Sequence, residues 1–137
     1  MPIYSDILTA PAGKTKTYTW DLEGDYITYV RLRFPPGPEW SLKVRFLYGN
    51  MQIFPKKKGT YFVGDDEIIE WQDLYQMYEA PFPLKIELVN DDTDNDHSVH
   101  VIVKTAYSYE LGLLRVESSL KKFLRSIQAL FSRVMFP

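Results

Sequence analysis

The densest cluster of residues that could bind a metal ion is NDDTDNDHS, residues 90–98. Asp92, Asp94 and Asp96 stand at alternate positions, as the ligands do in the first half of a calcium-binding loop. Such a loop needs a glycine where His97 stands and a bidentate glutamate where Val103 stands. We therefore expect a solvated loop between two strands, with a calcium loop as the alternative and no other metal site.

Few residues of this chain are of the types and spacings that catalysis needs. There is no cysteine, and the only two histidines, His97 and His100, are three residues apart, which is not a same-face pairing on a strand. The same spacing separates Glu67 from Glu70 and makes them a poor acid/base pair. No glycine-rich phosphate loop and no G-x-S-x-G motif occurs. The sequence predicts a protein that is not an enzyme and holds no cofactor.

Four aromatic residues fall outside any clear alternation and could stack on sugar rings: Trp40, Trp71, Tyr75 and Tyr78. This pattern permits a carbohydrate- or surface-binding module, and the alternative is that the four rings cover the end of a β-sandwich. Lysines 56–58 form a basic run, but three lysines in a net acidic domain are a poor nucleic-acid footprint. We expect neither a nucleic acid nor a small-molecule substrate as partner.

The elements that would position these residues are short strands separated by turns. SLKVRFLY (41–48), PLKIELVN (83–90) and VHVIVKT (99–105) alternate apolar with polar residues. Over the first 105 residues we count about eight strands, including a weak one near Tyr4–Thr9, and one possible short helix at 73–80. In DYITYVRLRF, the alternation places Ile27 on the outward face with Arg31 and Arg33.

This pattern predicts a mainly β fold: an antiparallel, jelly-roll-like β-sandwich over residues 1–109, followed by a C-terminal amphipathic helix over 110–137. The two parts differ in charge. Residues 1–109 carry 11 Lys/Arg against 16 Asp/Glu, whereas residues 110–137 carry five against two. MPIYSDILTA has no positive segment or long apolar run, so we expect no signal peptide, and no stretch of about 18 uncharged apolar residues predicts a transmembrane span.

The C-terminal helix carries an unbroken heptad seam, widened on one flank. The seam residues are spaced alternately three and four apart, and Leu124 and Phe131 lie beside them. The predicted interface consists of Leu113, Val116, Leu120, Phe123, Leu124, Ile127, Leu130, Phe131 and Val134. The seam could pack on its own sandwich, on a copy of itself or a neighbouring subunit, or on an anionic membrane. Its serines and lack of tryptophan disfavour the membrane, and its regularity favours self-association.

The first 105 residues resemble small β-sandwich modules encoded by tailed phages, archaeal viruses and their hosts' integrated elements. The resemblance rests on PAGKTKTYTWDLEGDYITYVRLRFPPG, LKVRFLYGNMQIFP, DDEIIEW and PLKIELVNDDTDNDHSVHVIVK, in that order. It implies a virion structural part, such as a head, decoration, portal-proximal or tail component, that acts by assembling. The matched positions are fold-making ones, so the resemblance carries no functional residue over.

Together these patterns predict a structural protein that self-associates through its C-terminal helix, in a trimer or a ring. The expected partners are further copies of the chain or other virion structural proteins. We expect it in the virion, or in the host cytoplasm during assembly.

Overall fold

The computed structural model describes the backbone of residues 1–135 and the side chains of this range except those of 113–119 and 131–135. The elements are β1 (Ile3–Ala10), β2 (Thr15–Leu22), β3 (Tyr26–Phe34), β4 (Leu42–Tyr48), β5 (Met51–Phe54), β6 (Phe62–Val63), β7 (Glu67–Gln76), β8 (Phe82–Asn90), β9 (His97–Ala106) and α1 (Ser108–Met135). The strands form one compact unit, which ends at Ala106, and a second unit begins at Tyr107.

The strands form two antiparallel sheets with jelly-roll topology. One sheet has the order β1-β9-β3-β7, and the other has the order β2-β8-β4-β5, with the short β6 beside β4. Apart from β6, the ladders β1·β9, β2·β8, β3·β7 and β4·β5 are those of one long hairpin, which the β9·β3 and β8·β4 ladders close into a roll. The predicted fold class is confirmed, with nine strands in place of about eight.

The core lies between the sheets and is built by strict alternation. In β8, Leu84, Ile86 and Leu88 are fully buried, and the three valines of β9 at positions 99, 101 and 103 are buried with them. Each such side chain contributes about 1.5–3 kcal/mol through burial of its apolar surface. The alternating residues that the sequence predicts to face inward in these two strands are therefore the ones that pack in the core.

The predicted outward position of Ile27 is wrong, because β3 contains a β-bulge. Ile27 and Val30 are both fully buried although they are three residues apart. The register of β3 against β9 shifts between Ile27 and Tyr29, and Thr28 at the shift donates a hydrogen bond from Oγ1 to the carbonyl of Lys104 at 3.2 Å. One extra residue at a bulge reverses the face on which the following side chains lie.

The predicted short helix at 73–80 is wrong as well. Asp73–Gln76 belong to β7, which pairs with β3 along its length. Trp71 and Tyr75 point to the half-buried side of this strand, while Gln72 and Leu74 are exposed, so the alternation of period two continues through the segment. Pairing with β3 therefore outweighs the weak local preference for a helical turn.

Candidate functional site

The central part of the predicted interface is an exposed apolar stripe on α1. Within residues 120–130, Leu120, Phe123, Leu124 and Leu130 are between 50% and 62% exposed, and Ile127 is half-buried. Spacings of three and four place all five on one side of the helix. We call these five residues, which are four heptad positions together with the flanking Leu124, the seam. The other predicted interface residues, Leu113, Val116, Phe131 and Val134, lie outside the residues whose side chains are described.

The other positions of the same helical segment are polar, except Ala129. Lys121, Lys122 and Arg125 are exposed and fall outside the seam, and Ser126 donates a hydrogen bond from Oγ to the carbonyl of Lys122 at 3.1 Å. The segment therefore has an apolar side and a basic side, as expected for a helix that packs against other helices.

The first turn of α1 is closed by a local hydrogen-bond exchange. Tyr107 donates its backbone N–H to Glu110 Oε1 at 3.0 Å, and Glu110 returns its own N–H to the Tyr107 carbonyl at 3.0 Å. The bond from Tyr107 lowers the pKa of the Glu110 carboxyl. An ionised carboxylate in the first turn also suits the helix dipole, so the start of α1 is well defined.

Three of the four predicted stacking residues come together. Tyr75 lies 6.1 Å from Tyr78 between ring centroids, and Phe54 joins Tyr75 to Trp71, with centroid distances of 5.6 and 5.3 Å. Trp71 is stacked on Phe62 at 4.9 Å. These rings close the edge of the sandwich between β7 and β5, and Trp71 and Tyr75 are half-buried there.

The Tyr75 hydroxyl is the polar exception in this aromatic cluster. It is buried and has no hydrogen-bond partner among the described residues. Burial raises the pKa of the Tyr75 phenol, because the phenolate would lose its hydration.

Trp40, the fourth predicted stacking residue, stands on a separate loop. The segment 35–41, here called the Trp40 loop, exposes 60% of this side chain. Glu39 and Trp40 both have left-handed backbone conformations, with φ of 47° and 65°. Asp65 Oδ1 holds the loop from the side, because it accepts the backbone N–H groups of Gly37 at 2.9 Å and Glu39 at 3.0 Å. Sequence reasoning missed this clamp; its only signal was the Pro-Pro-Gly-Pro stretch before Trp40.

A second built loop carries the three lysines. In residues 55–60, here called the lysine loop, the Gln52 side chain occupies the centre. Its Nε2 lies within hydrogen-bonding distance of the carbonyls of Pro55 (2.8 Å), Lys57 (3.1 Å) and Thr60 (3.1 Å), and its Oε1 accepts the Gly59 N–H at 3.1 Å. These bonds fix the loop backbone, while Lys56, Lys57 and Lys58 point to solvent.

A groove of about 400 Å³ lies beside the lysine loop, and we call it the aromatic groove. Phe54, Phe62 and Trp71 line it, together with Lys56 and Asp73 at its polar side. Phe54 is 3% exposed, so the groove reaches down to the core of the sandwich.

Two aspartates of the candidate calcium loop, Asp92 and Asp96, bind protein groups through their side chains. Asp92 Oδ1 accepts the N–H of Asp94 at 2.9 Å, and Asp92 Oδ2 lies 2.8 Å from His97 Nε2. Asp96 Oδ1 accepts the N–H of Ala12 at 2.8 Å. The Asp94 N–H, and then His97, lower the pKa of Asp92 to about 2. In the part of the chain that the structure describes, no three His, Asp or Glu side chains are placed to hold a metal ion.

The same loop is anchored by Asn90, which sequence reasoning did not single out. Asn90 is 2% exposed, and its Nδ2 lies 3.1 Å from the carbonyl of Ala10, 3.3 Å from that of Pro11 and 2.9 Å from that of Asn95. Its Oδ1 accepts the N–H of Asp92 at 3.0 Å. One buried amide therefore ties together two loops at one end of the sandwich.

Comparison with known proteins adds little to this geometry. No protein-family model and no curated protein matches the chain. Among solved structures, the crystal structure of FLHE is similar over 77% of this chain and 97% of its own chain, with 15% sequence identity and a TM-score of 0.44. No functional argument rests on a likeness this distant, and the resemblance to viral β-sandwich modules stays a prediction. Within the described residues, no helix has the length and apolarity to cross a bilayer.

Proposed function

We propose that this chain is a non-enzymatic structural protein that self-associates through α1, as a component of a virion. The observation that supports it is the seam: four large apolar side chains of residues 120–130 are at least half exposed on one side of a helix. Exposed apolar side chains grouped in this way mark a contact surface. The virion assignment is supported by the resemblance of residues 1–105 to viral sandwich modules.

The free energy available from the seam is adequate for assembly. Burial of five side chains at ~1.5 kcal/mol each contributes about 7.5 kcal/mol per helix. This is of the same order as the cost of association, about 4–15 kcal/mol. Most of the stability of a helix in a protein comes from packing of its apolar face, so association would also stabilise α1.

The width of the stripe favours more than two helices. If Leu120 and Ile127 occupy heptad position a and Phe123 and Leu130 position d, Leu124 falls at e and Ser126 at g. A two-stranded coiled coil buries a and d alone, whereas an apolar e position with a small residue at g suits a bundle of three or more helices. The proposed assembly is therefore a trimer or a ring.

Substitutions in the seam test this proposal on the full-length chain. Leu120→Ser with Phe123→Ser should lower the molar mass measured by light scattering at low micromolar concentration, because it removes two exposed apolar side chains that the assembly would bury. The matched control is Lys121→Ser with Lys122→Ser, which changes adjacent exposed residues on the basic side and should leave the molar mass unchanged.

Other outcomes point to other functions. A wild-type chain that is monomeric at all micromolar concentrations would contradict self-association. Salt-sensitive co-sedimentation with anionic liposomes would favour a membrane surface. Specific binding on a glycan array that is lost in Trp40→Ala, Trp71→Ala or Tyr78→Ala would favour the carbohydrate-binding alternative.

A further inference from the structure

We propose a second contact between copies of this chain, separate from α1, in which Trp40 of one copy inserts into the aromatic groove of another. The inference goes beyond the proposed function, because both surfaces belong to the sandwich. It rests on three features of the described residues: an exposed indole on a clamped loop, an aromatic recess, and opposite charges around the two.

The backbone of the Trp40 loop is held in place, and the loop exposes the indole. Two consecutive non-glycine residues with left-handed backbones, Glu39 and Trp40, are an unfavourable arrangement that persists only where the surroundings enforce it. Here Asp65 enforces it through its two hydrogen bonds to the loop backbone. A loop whose backbone is already held loses less conformational entropy on binding than a mobile one, which favours Trp40 as an anchor residue.

The aromatic groove offers a matching surface for an indole. Its Phe54, Phe62 and Trp71 rings already contact one another edge-to-face or stacked, at centroid distances of 5.3 Å for Phe54–Trp71 and 4.9 Å for Phe62–Trp71. A further aromatic ring can join such a cluster at its open side in either arrangement. The lysine loop that forms one wall is held in place by Gln52, so this recess exists before any partner binds.

The charges around the two surfaces are complementary. Beside Trp40 stand Glu39 and the acidic stretch 65–67; in this stretch Asp66 is paired with Arg33 at 2.8 Å. Lys56 lines the groove, and the exposed Lys57 and Lys58 follow it in the lysine loop. The groove also contains one carboxylate, Asp73, whose Oδ1 accepts the N–H of Leu74 at 2.7 Å. The lysine loop therefore remains net positive, and a second copy of the chain supplies the acidic, tryptophan-bearing partner that fits it.

The test uses the full-length chain with Leu120→Ser and Phe123→Ser, so that the contribution of α1 is reduced. In this background the weight-average mass in sedimentation should still rise with concentration, and high salt should weaken the association. Adding Trp40→Ala should weaken it about 30-fold or more, as expected for loss of an anchor residue. Ile7→Ala, which shortens another exposed apolar side chain (66% exposed), is the matched control and should have no effect.

A mixing experiment identifies the partner surface. Lys56→Glu, Lys57→Glu and Lys58→Glu together should abolish association by reversing the charge beside the groove. An equimolar mixture of this variant with the Trp40→Ala variant should associate again, because one chain brings an intact indole and the other an intact groove. Circular dichroism of each variant confirms that the sandwich is folded.

The outcomes separate this inference from the proposed function. If the background variant stays monomeric at all concentrations, or if Trp40→Ala leaves its association unchanged, the second contact does not exist. If Trp40 fluorescence responds to glycans and not to protein concentration, the loop is a sugar-binding element and the inference is overturned. The effect of the seam substitutions on the wild-type oligomer is measured separately and tests α1 alone.

Discussion

Asn90 is the residue whose replacement should disturb the sandwich most for the smallest change in shape. It is 2% exposed, and its amide nitrogen faces the carbonyls of Ala10, Pro11 and Asn95. Asn90→Asp keeps the size of the side chain but replaces this nitrogen with an oxygen. A carboxylate would then face three backbone oxygens at a site with almost no access to water.

The magnitude follows from these contacts. Asn90→Ala removes the side chain's hydrogen bonds at about 1 kcal/mol each and leaves buried backbone groups unpaired, so we expect a loss of about 3–4 kcal/mol. Asn90→Asp should cost at least as much at neutral pH, about 3–5 kcal/mol, which is the usual penalty for an uncompensated buried charge. For a unit of this size, each kcal/mol corresponds to a fall in Tm of about 4–8 °C.

The pH dependence of Asn90→Asp distinguishes charge from shape. The pKa of the introduced carboxyl should be higher in the folded state than in the unfolded state, because burial among carbonyls disfavours its ionised form. Its electrostatic penalty is therefore fully present above the folded-state pKa and disappears as the pH falls to about 4, the pKa of an unfolded aspartate. Urea unfolding at pH 7 and pH 5 should show a smaller penalty at pH 5.

The control for this experiment is Asn50→Asp, the same change in the exposed turn between β4 and β5. It should alter the free energy of unfolding by less than about 0.5 kcal/mol. If Asn90→Asp costs less than about 1 kcal/mol at pH 7, the buried amide does not hold the two loops together.

Three further substitutions test the packing of the same unit. The pKa of Asp92, lowered to about 2 in the folded protein, lies below its unfolded value, so the carboxylate stabilises the fold above about pH 4 and this contribution is lost between about pH 4 and 2. Asp92→Asn should make the stability of the fold depend less on pH over that range, as measured by circular dichroism during acid unfolding. An added Cβ at Gly64 would lie 2.8 Å from Cδ2 of the fully buried Phe34, so Gly64→Ala should cost about 1–3 kcal/mol in urea unfolding. The control is Gly112→Ala, where the added Cβ would meet nothing within 4 Å, and it should not destabilise the sandwich. Tyr75→Phe removes a buried hydroxyl without a partner and should raise the free energy of unfolding by about 1 kcal/mol; a lower Tm would show that the hydroxyl is hydrogen-bonded.

Where the side chains that a strand buries are its alternating apolar residues, the sequence was sufficient to predict the strand and its buried face. The strands from Phe82 to Asn90 and from His97 to Ala106 bury every second side chain, and this alternation alone indicated strands with one face in the core. The long hairpin rolls up into two facing sheets because this buries the apolar face of both sheets. At Ile27 the prediction failed because the bulge at Thr28 depends on a ladder with β9, more than 70 residues away.

The candidate sites divide in the same way. The seam of α1 was visible because its spacing is local and periodic. The clamp of Asp65 on Gly37 and Glu39 and the anchoring of residues 10 and 11 by Asn90 connect loops that are distant in sequence, and no single-sequence pattern marks them. The aspartates of residues 91–96 looked most like metal ligands in the sequence. In the structure they form part of a loop.

This division bears on function. In the described part of the chain, Asp92 and Asp96, which the sequence offered as metal ligands, bind the protein's own backbone, and Asp65 does the same in another loop. Large apolar side chains, by contrast, are left exposed on one side of α1 and at Trp40. Polar groups engaged in this way hold loops rigid and are poorly available to a substrate. Rigid loops and exposed apolar side chains together suit a protein that acts by contact with other proteins, which is why both proposals place its function in assembly.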